Sequence, residues 1–388
     1  MRILFCKWNG CAEAGIEAAF RRMGYEVDSL VYPFEGSDYS QECLLLLQQH
    51  LDAHAYRFVF SQNFIPLVSK VCQIYKCKYI SWIMDSPAYH LYSNAIRNTY
   101  NYIFIFDKCL YEQFKNENAG HIFYYPLATC FYEWEEIIQH AKPEKRYVSD
   151  VSFLGSMYVT EAFYDEVEGL PEYIKGYMDG LIEAQLNVYG YNFLEDVLSD
   201  EMAEEYARYA DWMQAEDYSR NVKDVVASVY LGKKCSQLER FRVAKVLADS
   251  EWNFKLYTNS PVTGKLTAVN QGVVGYYDEM PLVFRNSRIN LNITSKSIRS
   301  GLPLRMFDIM GCGGFLLTNY QSEIPEYFEI GKDLAVYESI PHMMEQVAYY
   351  LSHEDERRQI ARNGYNKIKS YFTYDIALAT MLRQTLHK

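Results

Sequence analysis

Three cations fall within ten residues of an otherwise acidic chain: Lys296, Arg299 and Arg305. They lie in NLNITSKSIRSGLPLRMFD (290–308), where an apolar strand ends at Thr294 and a polar loop containing Gly301 and Pro303 enters a helix. Such a junction aims backbone N–H groups and the positive end of a helix dipole at an anion. The expected ligand of Lys296, Arg299 and Arg305, with Asn292, Gly301 and Leu302 around them, is a diphosphate. A solvated loop is the alternative. Asp308 follows Arg305 by one helical turn on the same face. Its carboxylate could accept both hydroxyls of a ribose, or simply pair with Arg305 along the helix. Gly311, Gly313 and Gly314 sit at the far end of that helix, where glycine ends a helix and permits close packing.

The elements that must hold these residues alternate. RILFCKW (2–8), YEVDSLVYP (25–33), YRFVFS (56–61), KYISWIMD (78–85), YNYIFIFD (100–107) and HIFYYP (121–126) read as strands, with helices over 12–23, 41–54 and 66–75. Near-continuous apolar strands separated by helices predict a parallel sheet covered on both faces, with ligands beyond the strands' carboxyl ends. The polar stretch EEIIQHAKPEKRYVSD (135–150) marks a boundary. DVSFLGS (150–156) opens a second α/β unit, continued by strands at 253–259, 273–277, 288–294, 315–320 and 333–339. Its helices are expected at 280–286, 304–312 and 322–329 and from Pro341 onward. Between them, 159–249 reads as an acidic, tyrosine-rich helical insertion. The expected fold is therefore α/β, with two Rossmann-like doubly wound domains at 1–140 and 148–371.

Composition narrows the function. A net charge of −12 argues against broad nucleic-acid or anionic-membrane contact. No apolar run is long enough to span a bilayer, and the N-terminus lacks a signal-peptide pattern, so a cytoplasmic protein is expected. The nine scattered cysteines suit reduced thiols. His50 and His54 have the i, i+4 spacing of a zinc helix but lack the following Glu and a third ligand. Gly155-Ser156 is a glycine turn after a strand, at the carboxyl end where a phosphate could lie, without the later glycines of a dinucleotide fingerprint. No P-loop, G-x-S-x-G or Asp-x-Asp dyad on a strand edge occurs.

RMFDIMGCGGFLLTNYQSEIPEYFEIGKDLAVY (305–337), with YYLSHEDERRQIARNGYNKI and FTYD further on, resembles the C-terminal domain of CgeB-like, group 1 type glycosyltransferases. DVSFLGS, YYDEMPLVFRNSRINLNIT (276–294) and SWIMDSP (81–87) fit the same family. The resemblance implies a GT-B fold, a nucleotide-diphosphate-sugar donor on the second domain, and an acceptor of unknown identity on the first. It also implies a final helix, about 372–388, that crosses back onto the first domain. With no Asp-x-Asp dyad, transfer would be metal-independent and without a cofactor. Many retaining relatives carry two glutamates separated by seven residues; here those positions are Ser300 and Asp308, so an inverting reaction is at least as compatible.

An inverting transfer needs a base on the acceptor side. Asp85, at the carboxyl end of KYISWIMD, meets the positional requirement, and His90 is the alternative; a helix or turn cap is the structural role open to Asp85. Asn9, Gly10, Gln62 and Asn63, after the first and third strands, are the acceptor-side candidates, although simple turns account for them equally. Two other functions fit the same segments: a sugar-nucleotide epimerase, or a non-catalytic nucleotide-sugar-binding protein in cell-surface or spore-coat assembly.

Overall fold

The protein is described by a computed structural model over residues 1–31, 40–142, 144–210 and 222–386. It divides into two compact units, one from Met1 to Cys130 that resumes at Tyr371, the other from Phe131 to Ser370.

The first unit holds β1 (Arg2–Lys7), β2 (Glu26–Val31), β3 (Val59–Gln62), β4 (Tyr79–Ile83), β5 (Asn101–Ile105) and β6 (Ile122–Tyr124). All pair in parallel, in the order β2-β1-β3-β4-β5-β6. Every residue of β3, β4 and β5 is buried, as expected of parallel strands with both faces covered. The order reverses between β1 and β3, which makes their carboxyl ends the expected ligand crevice. The last helix, Tyr374–Leu386, packs in this unit and buries Ala377, Leu378 and Met381. Arg22 holds its first turn through both oxygens of Asp375, at 3.0 and 2.7 Å, and Tyr374 packs edge-on against Trp82.

The second unit holds β7 (Ser149–Leu154), β8 (Phe254–Tyr257), β9 (Ser287–Asn292), β10 (Leu316–Asn319) and β11 (Ala335–Tyr337). These too are parallel, in the order β11-β10-β9-β7-β8, with the reversal between β7 and β9. The Gly232–Ala248 helix crosses from β7 to β8 and buries Val243, Ala244 and Leu247 on the sheet. The tyrosine-rich segment before it forms a small helical body with its own core, including Ile174, Met178, Leu194, Tyr206, Val226 and Leu231. A π-helical turn, Val226–Leu231, joins that body to the crossover helix. No helix among the described residues is long and apolar enough to cross a membrane.

Three expectations need correction. Residues 273–277 form no strand: Val273 is 72 % exposed, Gly272 before it has φ +80°, and Tyr276 and Tyr277 pack on Trp134 instead of a sheet. The helix expected over 322–329 shortens to Ile324–Tyr327, because Phe328 turns to extended backbone. Residues 135–140, read as a polar boundary, belong to the helix Phe131–His140. Residues 32–33 of the expected second strand, part of the insertion and the last two residues lie outside the described residues.

Gly314 shows why a glycine ends the Leu304–Gly311 turn region. A Cβ there would stand 2.7 Å from the Phe284 carbonyl oxygen and from Asn290 Nδ2, and Asn290 Nδ2 itself donates to that carbonyl at 3.0 Å. Neither atom can retreat, since Phe284 is buried in the Met280–Asn286 helix and Asn290 in β9. Gly314→Ala is expected to cost ~1–3 kcal/mol of stability by overpacking, read from denaturant unfolding.

Candidate functional site

At the carboxyl ends of β7 and β9 one guanidinium ties the two central strands together. Arg240, on the crossover helix and only 9 % exposed, donates from Nη1 to the Ser156 carbonyl and from Nη2 to the Ile293 carbonyl, both at 2.6 Å. Its Cζ also lies 4.4 Å from the ring centroid of Tyr158 and 5.4 Å from that of Phe153. Lys233, two turns earlier on the same helix, brings its Nζ to 4.6 Å from the Tyr158 centroid. Tyr158 occupies left-handed backbone, φ +55°. Burial pushes its phenol up, but the charges of Arg240 and Lys233 and a hydrogen bond with Ser295 hold it below the usual tyrosine value. The neighbouring acid is Glu161, which accepts from Ser156 Oγ at 3.0 Å. Two cations against one carboxylate leave the strand ends electropositive.

The cations of the loop after β9 do not converge as expected. Lys296 is buried, with its Nζ 3.6 Å from the buried Glu239 and 4.3 Å from the Tyr189 ring centroid. Arg299 pairs with Glu195 of the helical body at 2.8 Å. Arg305 lies 3.5 Å from Asp308 and over Phe284. In a chain with excess carboxylates, a cation leaving water is held by the nearest acid, since an unpaired buried charge is too costly. Asp308 is itself 1 % exposed and accepts from Tyr276 Oη at 3.2 Å on both oxygens. The intrahelical pair, not an open ribose acceptor, is the arrangement present.

The rest of the loop is structural in this state. Asn292 Nδ2 donates to Thr294 and Thr318 hydroxyls at 3.0 and 2.9 Å, stapling β9 to β10. Gly301 and Leu302 are buried. The loop backbone docks on the crossover helix, with the Lys296 amide donating to Ser236 Oγ at 2.8 Å. Ser300 Oγ donates to Glu323 Oε1 at 2.6 Å, so a buried carboxylate does stand beside the serine. Gly155 and Ser156 remain at the strand end beneath Arg240, partly exposed.

The first unit carries a second candidate. A cavity of about 310 Å³ beyond β3 and β4 is lined by Trp8, Gln62, Asn63, Asp85 and His90 among others. Asn63 organises it from left-handed backbone, φ +58°: its Nδ2 donates to Asp85 Oδ2 at 2.5 Å and its Oδ1 accepts from the Met84 amide at 2.8 Å. Asp85 and His90 are both exposed. Gln62 is buried, and its Oε1 has no hydrogen-bond partner among the described residues. A Cβ on Gly10 would approach that oxygen to 2.4 Å, so Gly10 admits the glutamine. Asn9 sits at φ +69°. The β1–α turn is held by Glu13, which accepts from the Trp8 amide at 2.8 Å; burial pushes its carboxyl up, against the pull of these backbone hydrogen bonds and Lys7. His50 and His54 turn instead to Tyr56.

Sequence reading missed Lys233, Arg240, Tyr158 and Glu13. The basic pair Lys233 and Arg240 on one helical face was the available signal, hidden because that helix was read as part of the insertion.

Residues 233–383 match the model of a glycosyl transferase-like family. No curated protein matches the chain in sequence. Among solved structures, the Anabaena protein HepE in complex with UDP and glucose is similar over 100 % of this chain and 98 % of its own, at 11 % identity and a TM-score of 0.51. Sucrose-phosphate synthase from Thermosynechococcus elongatus matches over 100 % and 99 %, at 9 % identity and 0.55. A glycosyltransferase from Rickettsia africae matches over 100 % and 97 %, at 11 % and 0.51. The fold is that of the GT-B glycosyltransferases.

The helical body contributes one titrating group near this loop. Asp224 is buried, and its carboxyl is pushed up to about 6, with Arg299 pulling the other way. A raised folded-state value means stability that is present at low pH and lost as pH rises through about 6. Asp224→Asn should therefore flatten the profile. The wild type should lose ~1–1.5 kcal/mol relative to the variant between about pH 5 and about pH 8, measured by denaturant unfolding at each.

Proposed function

We propose that the protein is a glycosyltransferase that takes a sugar from a nucleotide diphosphate bound at the carboxyl ends of β7 and β9. The observation that carries this reading is the electropositive strand-end site built by Arg240 and Lys233 about Tyr158, at the point where the strand order reverses. The likeness of the chain's fold to that of HepE in complex with UDP and glucose supports a nucleoside diphosphate as the ligand. In this reading Lys233 and Arg240 meet the diphosphate, the Gly155–Ser156 turn lets it approach the backbone, and Arg305, a quarter exposed at the start of its helix, supplies a further cation.

The first unit's cavity takes the acceptor. An acceptor hydroxyl attacks the anomeric carbon, the bond from that carbon to the diphosphate oxygen breaks, and the nucleoside diphosphate departs with the electron pair. Asp85, oriented by Asn63, receives the hydroxyl proton. Lys233 and Arg240 offset the negative charge that grows on the leaving oxygen. Inversion at the anomeric carbon follows from a single displacement. No metal is assigned a role.

Lys233 is the sharpest test because no carboxylate partner holds it among the described residues. Lys233→Ala is expected to fold normally and to weaken UDP binding by about 10-fold, equivalent to ~1.4 kcal/mol, in calorimetry. Asp85→Asn should retain UDP affinity and lower the rate of transfer by about 100-fold or more. Unchanged UDP affinity in both Lys233→Ala and Arg305→Ala would sink the assignment of the donor site.

A further inference from the structure

The opposite end of the second unit's sheet holds a cavity of about 780 Å³ that the proposed transfer does not use. It opens beside Ser287, at the amino end of β9, and under the Gly311–Gly313 turn that ends the Leu304–Gly311 helix. Five arginines line it: Arg285, Arg288, Arg357, Arg358 and Arg362. In a protein of net charge −12 this is the densest cationic lining in the molecule's described cavities.

Carboxylates offset only part of that charge. Arg288 pairs with Asp150 at 3.1 Å, and Arg358 pairs with Glu354. Glu135 is the acid in the lining itself, and it is already engaged by Tyr365 and by Lys369 at 3.7 Å. Arg285 and Arg362 have no carboxylate partner among the described residues; Arg362 donates only to Gln359, at 2.7 Å.

Arg357 is the informative member. Only 7 % of it is exposed, Nη1 donates to the Arg288 carbonyl at 2.7 Å, and Nε has no hydrogen-bond partner among the described residues. Burial and the neighbouring charges of Arg288 and Arg358 both push its guanidinium below the ordinary arginine value. A buried donor left unsatisfied next to two like charges is a costly arrangement in isolation. An anion in the cavity would screen the repulsion, and the planar guanidinium forks of Arg285 and Arg362 in its lining fit phosphoryl oxygens in pairs.

We infer that this cavity is a second anion site, which takes a small soluble ligand with two or more phosphoryl charges. A recessed pocket suits a small molecule. A flat anionic membrane would meet the protein's overall negative charge.

The test uses the full chain and inorganic pyrophosphate, titrated calorimetrically in saturating UDP so that any donor site is already filled. Pyrophosphate is expected to bind, and Arg285→Ser with Arg362→Ser is expected to weaken that binding by about 10-fold or more while circular dichroism and UDP affinity stay unchanged. Absence of pyrophosphate binding, or equal affinity in the double variant, overturns the inference. Sedimentation with phosphatidylglycerol vesicles but no pyrophosphate binding overturns it in favour of a membrane contact. Because the variants leave Lys233 and Arg240 intact, failure here and failure of the donor-site assignment are read separately.

Discussion

The second unit is organised around a guanidinium that two carbonyls hold between strand ends. Where a doubly wound sheet reverses order, the strands on either side diverge, and their terminal carbonyls must find donors or water. Arg240 supplies both donors from one side chain and fixes the separation of Ser156 and Ile293. The same constraint sets the loop after β9, which docks on the crossover helix through Ser236, and sets Tyr158 against Arg240 and Lys233. A charge recruited to satisfy the backbone therefore also leaves the strand ends positive, which is the property a diphosphate needs.

The distribution of the other cations follows from the acidic composition. Lys296, Arg299 and Arg305 each found a carboxylate, from Glu239, Glu195 and Asp308. Spacing in sequence brought them into one loop, but tertiary packing turned them to three different partners. Lys233 and Arg240 behave differently. One has its carboxylate neighbours replaced by an aromatic ring, and the other is anchored by carbonyls, which leave its charge uncancelled.

The alternation of apolar strands and amphipathic helices was enough to read both parallel sheets, since strands such as β3, β4 and β5 must be apolar on both faces. Asp85, His90, Gln62 and Asn63 were also legible as neighbours, because residues just past the carboxyl ends of adjacent parallel strands come together; they line one cavity. The strand expected at 273–277 failed because apolar and aromatic residues there serve packing on Trp134. Arg240 was not legible. Its role depends on where the Gly232–Ala248 helix, far downstream of β7 in sequence, lies across the sheet, and no local pattern encodes that. The partners of Glu323 and Ser300, 23 residues apart, were hidden for the same reason.

In the proposed transfer the nucleoside diphosphate binds at the carboxyl ends of β7 and β9, and backbone amide exchange with and without UDP reads that location directly. Exchange should slow on UDP binding in residues 155–158 and 293–300, which Arg240 links, with little change at the amino end of β9. No protection in those two segments, with UDP bound, would contradict it.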